Sequence, residues 1–204
     1  MRSDRAAGVE PPVVVPRSGL VIGVDPSLTR TGWAVVDPVP LDGRYGLVRV
    51  GSIRTSPAAA LPDRLACLVA GVVGAAEDAC RAVVEESVVG GHRGLRSALL
   101  LAQARGAIVA GLTMAGLSVA GISPTTVKRV VAGHGHAPKG DVAAAVRGLI
   151  GFRAGRVRGR SSAEGGLPAN RDQWDAVAVA LTAILGESGA IGADGRSGAG
   201  KKRP

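Results

Sequence analysis

Apolar positions follow two rhythms along this chain of 204 residues. Three short runs, Leu20 to Asp25, Gly32 to Val36 and Tyr45 to Arg54, are divided by turns bearing Gly, Pro and Asp, the pattern of a β-meander. A helical stretch follows from about Leu61 to Cys80, with Pro62 at an early helical position. Ala82 to Val89 reads as a fourth strand. Leu95 to Ala115 reads as a long helix carrying Leu95, Leu99, Ala102, Gly106, Val109 and Ala110 on one face. Ser118 to Ile122 is the fifth strand, after which Thr125 caps a short helix containing Lys128. Residues Ala132 to Lys139 form a loop and Asp141 to Ile150 a helix. No element is expected over 151 to 170, a stretch rich in Arg and Gly, and a last helix covers about Asp172 to Leu185. Strands first, then alternating helices and strands, predict an α/β fold with a mixed five-stranded sheet flanked by α-helices.

Acids interrupt this pattern at telling places. Asp25 closes the run Gly19-Leu-Val-Ile-Gly-Val-Asp, and Glu85 closes Arg81-Ala-Val-Val-Glu. A carboxylate at the end of a buried strand is costly to desolvate unless something positive meets it. Asp172 and Asp175 are i and i+3 on one helix, so they project from the same face about 5–6 Å apart at Cβ. Four converging carboxylates suit a pair of Mg²⁺ ions, with Mn²⁺ as a substitute, because both are hard cations that prefer oxygen. Two such ions clamp a scissile phosphate. An N-cap role for Asp172, a helix-dipole role for Asp175 and an ordinary turn at Asp25-Pro26 stand as the plain alternatives.

Composition narrows the partners. The sequence is 46% hydrophobic but has Trp33, Trp174, Tyr45 and Phe152 as its only aromatics, so Ala, Val, Leu and Ile must fill the core. A formal charge of +9 draws a domain to polyanions such as nucleic acid. No uninterrupted apolar stretch of about 18 residues is present, and residues 1–18 lack the apolar centre of a signal peptide, so no membrane is expected and the cytoplasm is. Residues 1–18 read as a flexible leader, 19–186 as the folded domain with an Arg/Gly-rich insertion at 151–170, and 187–204 as a disordered basic tail. Cys67 and Cys80, near the two ends of one expected helix, lie beyond disulfide reach and read as small core residues. His134 and His136 lack a Cys or carboxylate pattern for a metal and read as a loop close to DNA.

Gly23-Val-Asp-Pro-Ser-Leu-Thr-Arg-Thr-Gly32 resembles the first motif of the RuvC-type Holliday-junction resolvases, members of the RNase H-like superfamily. Ala82-Val-Val-Glu-Glu86 resembles the second, Ser97-Ala-Leu-Leu-Leu-Ala-Gln-Ala-Arg-Gly106 the long central helix, and Asp172-Gln-Trp-Asp-Ala-Val-Ala-Val-Ala180 the final acidic helix. The resemblance implies an RNase H-like fold with Asp25, Glu85, Asp172 and Asp175 as catalytic metal ligands. Glu85 is preferred to Glu86, which points to the other face. It also implies that Lys128 and Lys139 lie near DNA phosphates. The implied activity is endonucleolytic resolution of four-way junctions in DNA recombination and repair, by Mg²⁺-dependent hydrolysis giving paired nicks with 5′-phosphate and 3′-hydroxyl ends. The implied working unit is a homodimer, with a branch-migration helicase complex as a further partner. The apolar face of the 95–115 helix is a candidate dimer contact, with burial against the chain's own sheet as the alternative.

This chain departs from the family pattern in three places. Ser27 stands where the family usually has Gly. Val88 and Val89 stand where an aromatic commonly follows the second motif. The stretch 151–170, with Arg153, Arg156, Arg158 and Arg160 against Glu164, is longer than its counterpart. Two other functions remain compatible with the residues: an RNase H-like ribonuclease on RNA–DNA hybrids, and a module that binds branched DNA without cutting.

Overall fold

The computed structural model describes residues 19–86, 94–152 and 167–193, so Val88, Val89 and the arginines from Arg153 to Arg160 lie outside the described residues. Three antiparallel strands come first: β1 (Leu20–Asp25), β2 (Arg30–Leu41) and β3 (Arg44–Arg54). Asp42 and Gly43 join β2 to β3, both at positive φ, as the tight turns that match strand twist require. Helix α1 (Leu61–Ala75) leads to β4 (Ala79–Glu85), then come α2 (Leu95–Met114), β5 (Ser118–Ile122), α3 (Pro124–Ala132) and α4 (Lys139–Leu149). A three-residue strand, β6 (Ile150–Phe152), precedes α5 (Arg171–Ala193). The sheet order is β5-β4-β1-β2-β3-β6, with β4, β5 and β6 joined in parallel.

The mixed α/β sheet therefore has six strands where five were expected. β6 pairs with Tyr45–Leu47 at the outer edge of the sheet and is too short to carry a pattern of its own. The first helix stops at Ala75 and the fourth strand starts at Ala79, before the expected Ala82. Cys80 accordingly sits half-buried in β4, its thiol 3.4 Å from the Leu20 carbonyl, while Cys67 is exposed on α1, so the two are neither helix ends nor jointly core. Ser123, not Thr125, caps α3, its hydroxyl accepting from Thr126 N at 3.1 Å with Pro124 in the first helical position. Backbone helix continues through Ala193, into the stretch read as tail.

Side-chain alternation along the strands builds two cores. Ile22, Val24, Val35, Ala82 and Val84 pack with Leu68, Val72, Ala104, Ile108 and Leu112 of α1 and α2. Val21, Ala34, Val36 and Val83 pack on the opposite face with α3, α4 and the Ala176–Leu181 run of α5. The same alternation turns Asp25 and Glu85 toward α5. α2 is long and apolar enough to cross a membrane by length and composition, with 17% of that stretch buried; it carries Arg96, Gln103 and Arg105 and packs on α1 and β5. Only its Ala104-Ile108-Leu112 stripe is fully buried, and Leu95 and Leu99 of the expected face are 74% and 56% exposed.

Candidate active site

Asp25 and Glu85 end neighbouring parallel strands, one residue beyond the paired Val24 and Val84. Their side chains share a hydrogen bond, which requires a proton on one of the two. Burial pushes the Asp25 carboxyl up to about 8, and the charges of Glu85, Asp175 and Asp172 push in the same direction. The end of the sheet thus holds more negative charge than it can keep ionised by itself.

The other two acids arrive on the first turns of α5, and two glycines decide how close that helix comes. A Cβ at Gly23 would lie 2.3 Å from the Ala176 carbonyl oxygen, and one at Gly32 would lie 2.1 Å from the Asp172 carbonyl oxygen. Both obstacles are backbone, so neither can swing aside. Gly32 is also the register partner of Asp25. With no side chain at either position, the start of α5 lies directly on β1 and β2. Asn170 fixes the helix end: its Oδ1 accepts from Gln173 N at 3.2 Å, and its amide donates to Ser52 Oγ of β3 at 3.1 Å. Because Asn170 caps the helix, Asp172 is released from the capping role that was its plain alternative.

Asp172 instead pairs with Arg30 of β2, whose Nε donates to its Oδ2. Asp175 lies 3.9 Å from Arg171, and burial raises its pKa while Arg171 and Lys139 oppose the rise. With these two acids turned to arginines, no three acid, His or Cys side chains among the described residues already stand at ligand spacing. All four carboxylates nevertheless act electrostatically on Asp25 or are acted on with it. Three carboxylates gathered about the Asp25 carboxyl, whose pKa burial raises, give a set of four acids with hard oxygen donors that fits a divalent cation.

Basic pockets flank the acids on both sides. One, of about 410 Å³, is lined by Ser27, Thr29, Arg30, Arg54, Thr55 and Asp172. The other, of about 290 Å³, brings Lys139, Arg147, Arg171 and Trp174 to Asp175, with the Arg147 guanidinium 4.9 Å over the Trp174 ring. Lys139 is thus placed beside the acids. Lys128 is half-buried on α3 between Val127 and Arg129 and lines neither of these pockets. His134 and His136 are exposed in the turn after α3. Sequence reasoning missed Gly23, Gly32 and Arg30 as contributors, although all three stand inside the motif Gly23–Gly32.

A family model described as crossover junction endodeoxyribonuclease RuvC matches residues 21–183. The chain belongs to the RuvC family of crossover junction endodeoxyribonucleases. A RuvC of Sphingopyxis alaskensis is 36% identical over 166 residues, which cover 79% of this chain and 94% of the relative. The RuvC of Thermus thermophilus in complex with a Holliday junction substrate superposes with a TM-score of 0.70 at 29% identity, covering 84% of this chain and 96% of that one. The yeast mitochondrial Holliday junction resolvase Ydc2 shares the fold, with a TM-score of 0.59 at 10% identity.

Proposed function

We propose that this chain resolves four-way DNA junctions by divalent-metal-dependent hydrolysis, with Asp25, Glu85, Asp172 and Asp175 as the catalytic metal ligands. The observation that carries the reading is the half-buried Asp25–Glu85 pair at the ends of adjacent strands, where burial and the charges of Glu85, Asp175 and Asp172 together push the Asp25 carboxyl up to about 8. Such a cluster discharges its repulsion by taking a cation. Oxygen-only donors favour Mg²⁺ or Mn²⁺, and Asp25, Glu85, Asp172 and Asp175 would suffice to hold two such ions. Held by these carboxylates, such ions would supply charge that acidifies an attacking water and offsets the negative charge on the leaving 3′ oxygen.

This chain's own residues do the positioning. Gly23 and Gly32 seat α5 on the sheet, which brings the helix turn bearing Asp172 and Asp175 near the strand ends bearing Asp25 and Glu85. Lys139, Arg147 and Arg171 hold phosphates on the Asp175 side, where their charges are concentrated. Lys128 acts further along the DNA. Departure of the 3′ oxygen leaves a 5′-phosphate.

A junction has two-fold symmetry, and a C₂ homodimer places two identical sites about the same axis, so paired nicks follow. The outward face of α2, with Leu95, Leu99, Ala102, Gly106 and Ala110 exposed, supports that dimer. Action in the cytoplasm beside a branch-migration helicase complex completes the reading.

Incubation of labelled four-way junction, linear duplex and RNA–DNA hybrid with Mg²⁺ tests it. Symmetric paired nicks confined to the junction, and absent from Asp25→Asn, are expected. Junction binding without cutting, or cutting of the hybrid alone, would overturn it.

A further inference from the structure

Arg30 and Arg54 stand directly opposite each other across β2 and β3, on the face that carries the acids. Like charges so opposed on an antiparallel pair repel, and an anion between them relieves the repulsion. Asp172 offsets only one of them, through its pair with Arg30. Arg54 remains exposed at the rim of the same pocket.

The walls of this pocket are held rigidly. Thr55 N donates to the Thr29 carbonyl at 3.1 Å, and the Thr55 hydroxyl donates to the Leu28 carbonyl. Arg64 reaches up from α1 to donate to Thr55 Oγ1 at 2.9 Å and to the Leu28 carbonyl at 3.2 Å. Ser27 N donates to the buried Thr31 Oγ1 at 3.0 Å, and the Thr31 hydroxyl returns a bond to the Ser27 carbonyl at 2.7 Å. Arg30 and Arg54, with Ser27 and Thr29, therefore line a cleft whose backbone walls are braced before a ligand arrives. Planar guanidinium forks match phosphate oxygens in pairs.

We propose that this pocket binds one phosphate of the DNA strand passing over the acids, with Arg30 and Arg54 gripping it from opposed strands. Arg30 exchanges Asp172 for that phosphate when a divalent cation engages the carboxylate. The site rests on the junction-cutting reading, and it supplies on the Asp172 side what Lys139, Arg147 and Arg171 supply on the Asp175 side. A strand held on both flanks cannot slide past the acids.

Binding of labelled four-way junction and of linear duplex, measured across a KCl series in Ca²⁺ and again in chelator, tests the proposal. Arg54→Gln is expected to weaken binding about tenfold in both conditions. It should also lower the slope of log K against log salt by about one, with Arg54→Lys restoring the slope. Arg30→Gln is expected to give a similar loss in Ca²⁺ and a smaller one in chelator. Wild-type affinity and slope in both glutamine variants would overturn the site, and an equal Arg30→Gln loss in both conditions would overturn the exchange. Wild type that binds duplex but not junction, with the Arg54→Gln loss retained, would keep the phosphate site and remove the junction reading. Wild type that binds no DNA would remove both.

Discussion

The two faces of the sheet are packed by different means. Toward α1 and α2 the contact is made by side chains, with Ile22, Val24, Leu68, Val72, Ile108 and Leu112 filling the space between helix and strand. Toward α5 a side-chain core is also present, but at two points the contact closes to backbone, because Gly23 meets the Ala176 carbonyl and Gly32 the Asp172 carbonyl with no side chain between. A side-chain layer can repack when one member changes, whereas a backbone contact has no slack. The acids of the proposed metal site sit on the second face. Close backbone contact fixes where Asp172 and Asp175 stand relative to Asp25 and Glu85, and the permissive face serves to stabilise the domain and leaves one side of α2 uncovered.

Changes on the two faces should therefore differ in kind. The largest effect is expected at the acids. In the proposed site Asp25→Asn removes a charged ligand from chemistry in which cations contribute several kcal/mol, so junction cleavage should fall about a thousandfold in single-turnover assays, with folding intact. Gly32→Ala comes next. Its Cβ must push the first turn of α5 away from the sheet, and a displacement near 1 Å at a reacting centre lowers rate about a hundredfold. A Gly32→Ala protein that cuts at the wild-type rate would break the contrast between the faces.

A pH dependence sharpens it further. The folded carboxyl of Asp25 titrates near 8 against an ordinary value of 3.8, so the folded chain holds a proton that the unfolded chain has released. Stability from this group is complete below about 3.8 and is lost as pH rises toward 8. The metal-free protein should therefore melt a few degrees lower at pH 8 than at pH 6, and Mg²⁺ or Asp25→Asn should flatten that difference. On the other face, the smallest change is expected from Ile108→Val. It should cost about 1 kcal/mol in denaturant unfolding and leave cleavage at its wild-type rate.

Much of this was legible in the sequence, for identifiable reasons. Asp25 and Glu85 were visible because each closes an apolar run, and a carboxylate there is conspicuous. Asp172 and Asp175 were visible as a pair because i, i+3 spacing alone puts two side chains on one helix face. β6 was not legible, since three residues hold no periodicity and pair only because α4 delivers Ile150 beside Tyr45. The boundary between α1 and β4 was misplaced because Ala75, Ala76, Ala79 and Cys80 fit either element. The face of α2 that carries Leu95 and Leu99, read as a dimer contact with burial on the chain's own sheet as the alternative, is left exposed, and the sheet takes the neighbouring stripe of Ala104, Ile108 and Leu112, a choice set by tertiary packing. Gly23 and Gly32 could be seen as residues, but their role depends on which helix crosses them, and that is set by the fold as a whole. The pair of Arg30 with Arg54 depends on strand register, which no local pattern of the sequence states.

In the proposed site α5, seated on two glycines, completes a divalent-cation centre begun by Asp25 and Glu85. Calorimetric titration of Mn²⁺ into the wild-type chain and Gly32→Ala at pH 7, in buffers of different ionisation enthalpy, tests it most directly. Wild type should bind Mn²⁺ with release of a proton from the Asp25–Glu85 pair, and Gly32→Ala should bind far more weakly. Binding by wild type without proton release, or equal binding by both proteins, would contradict it.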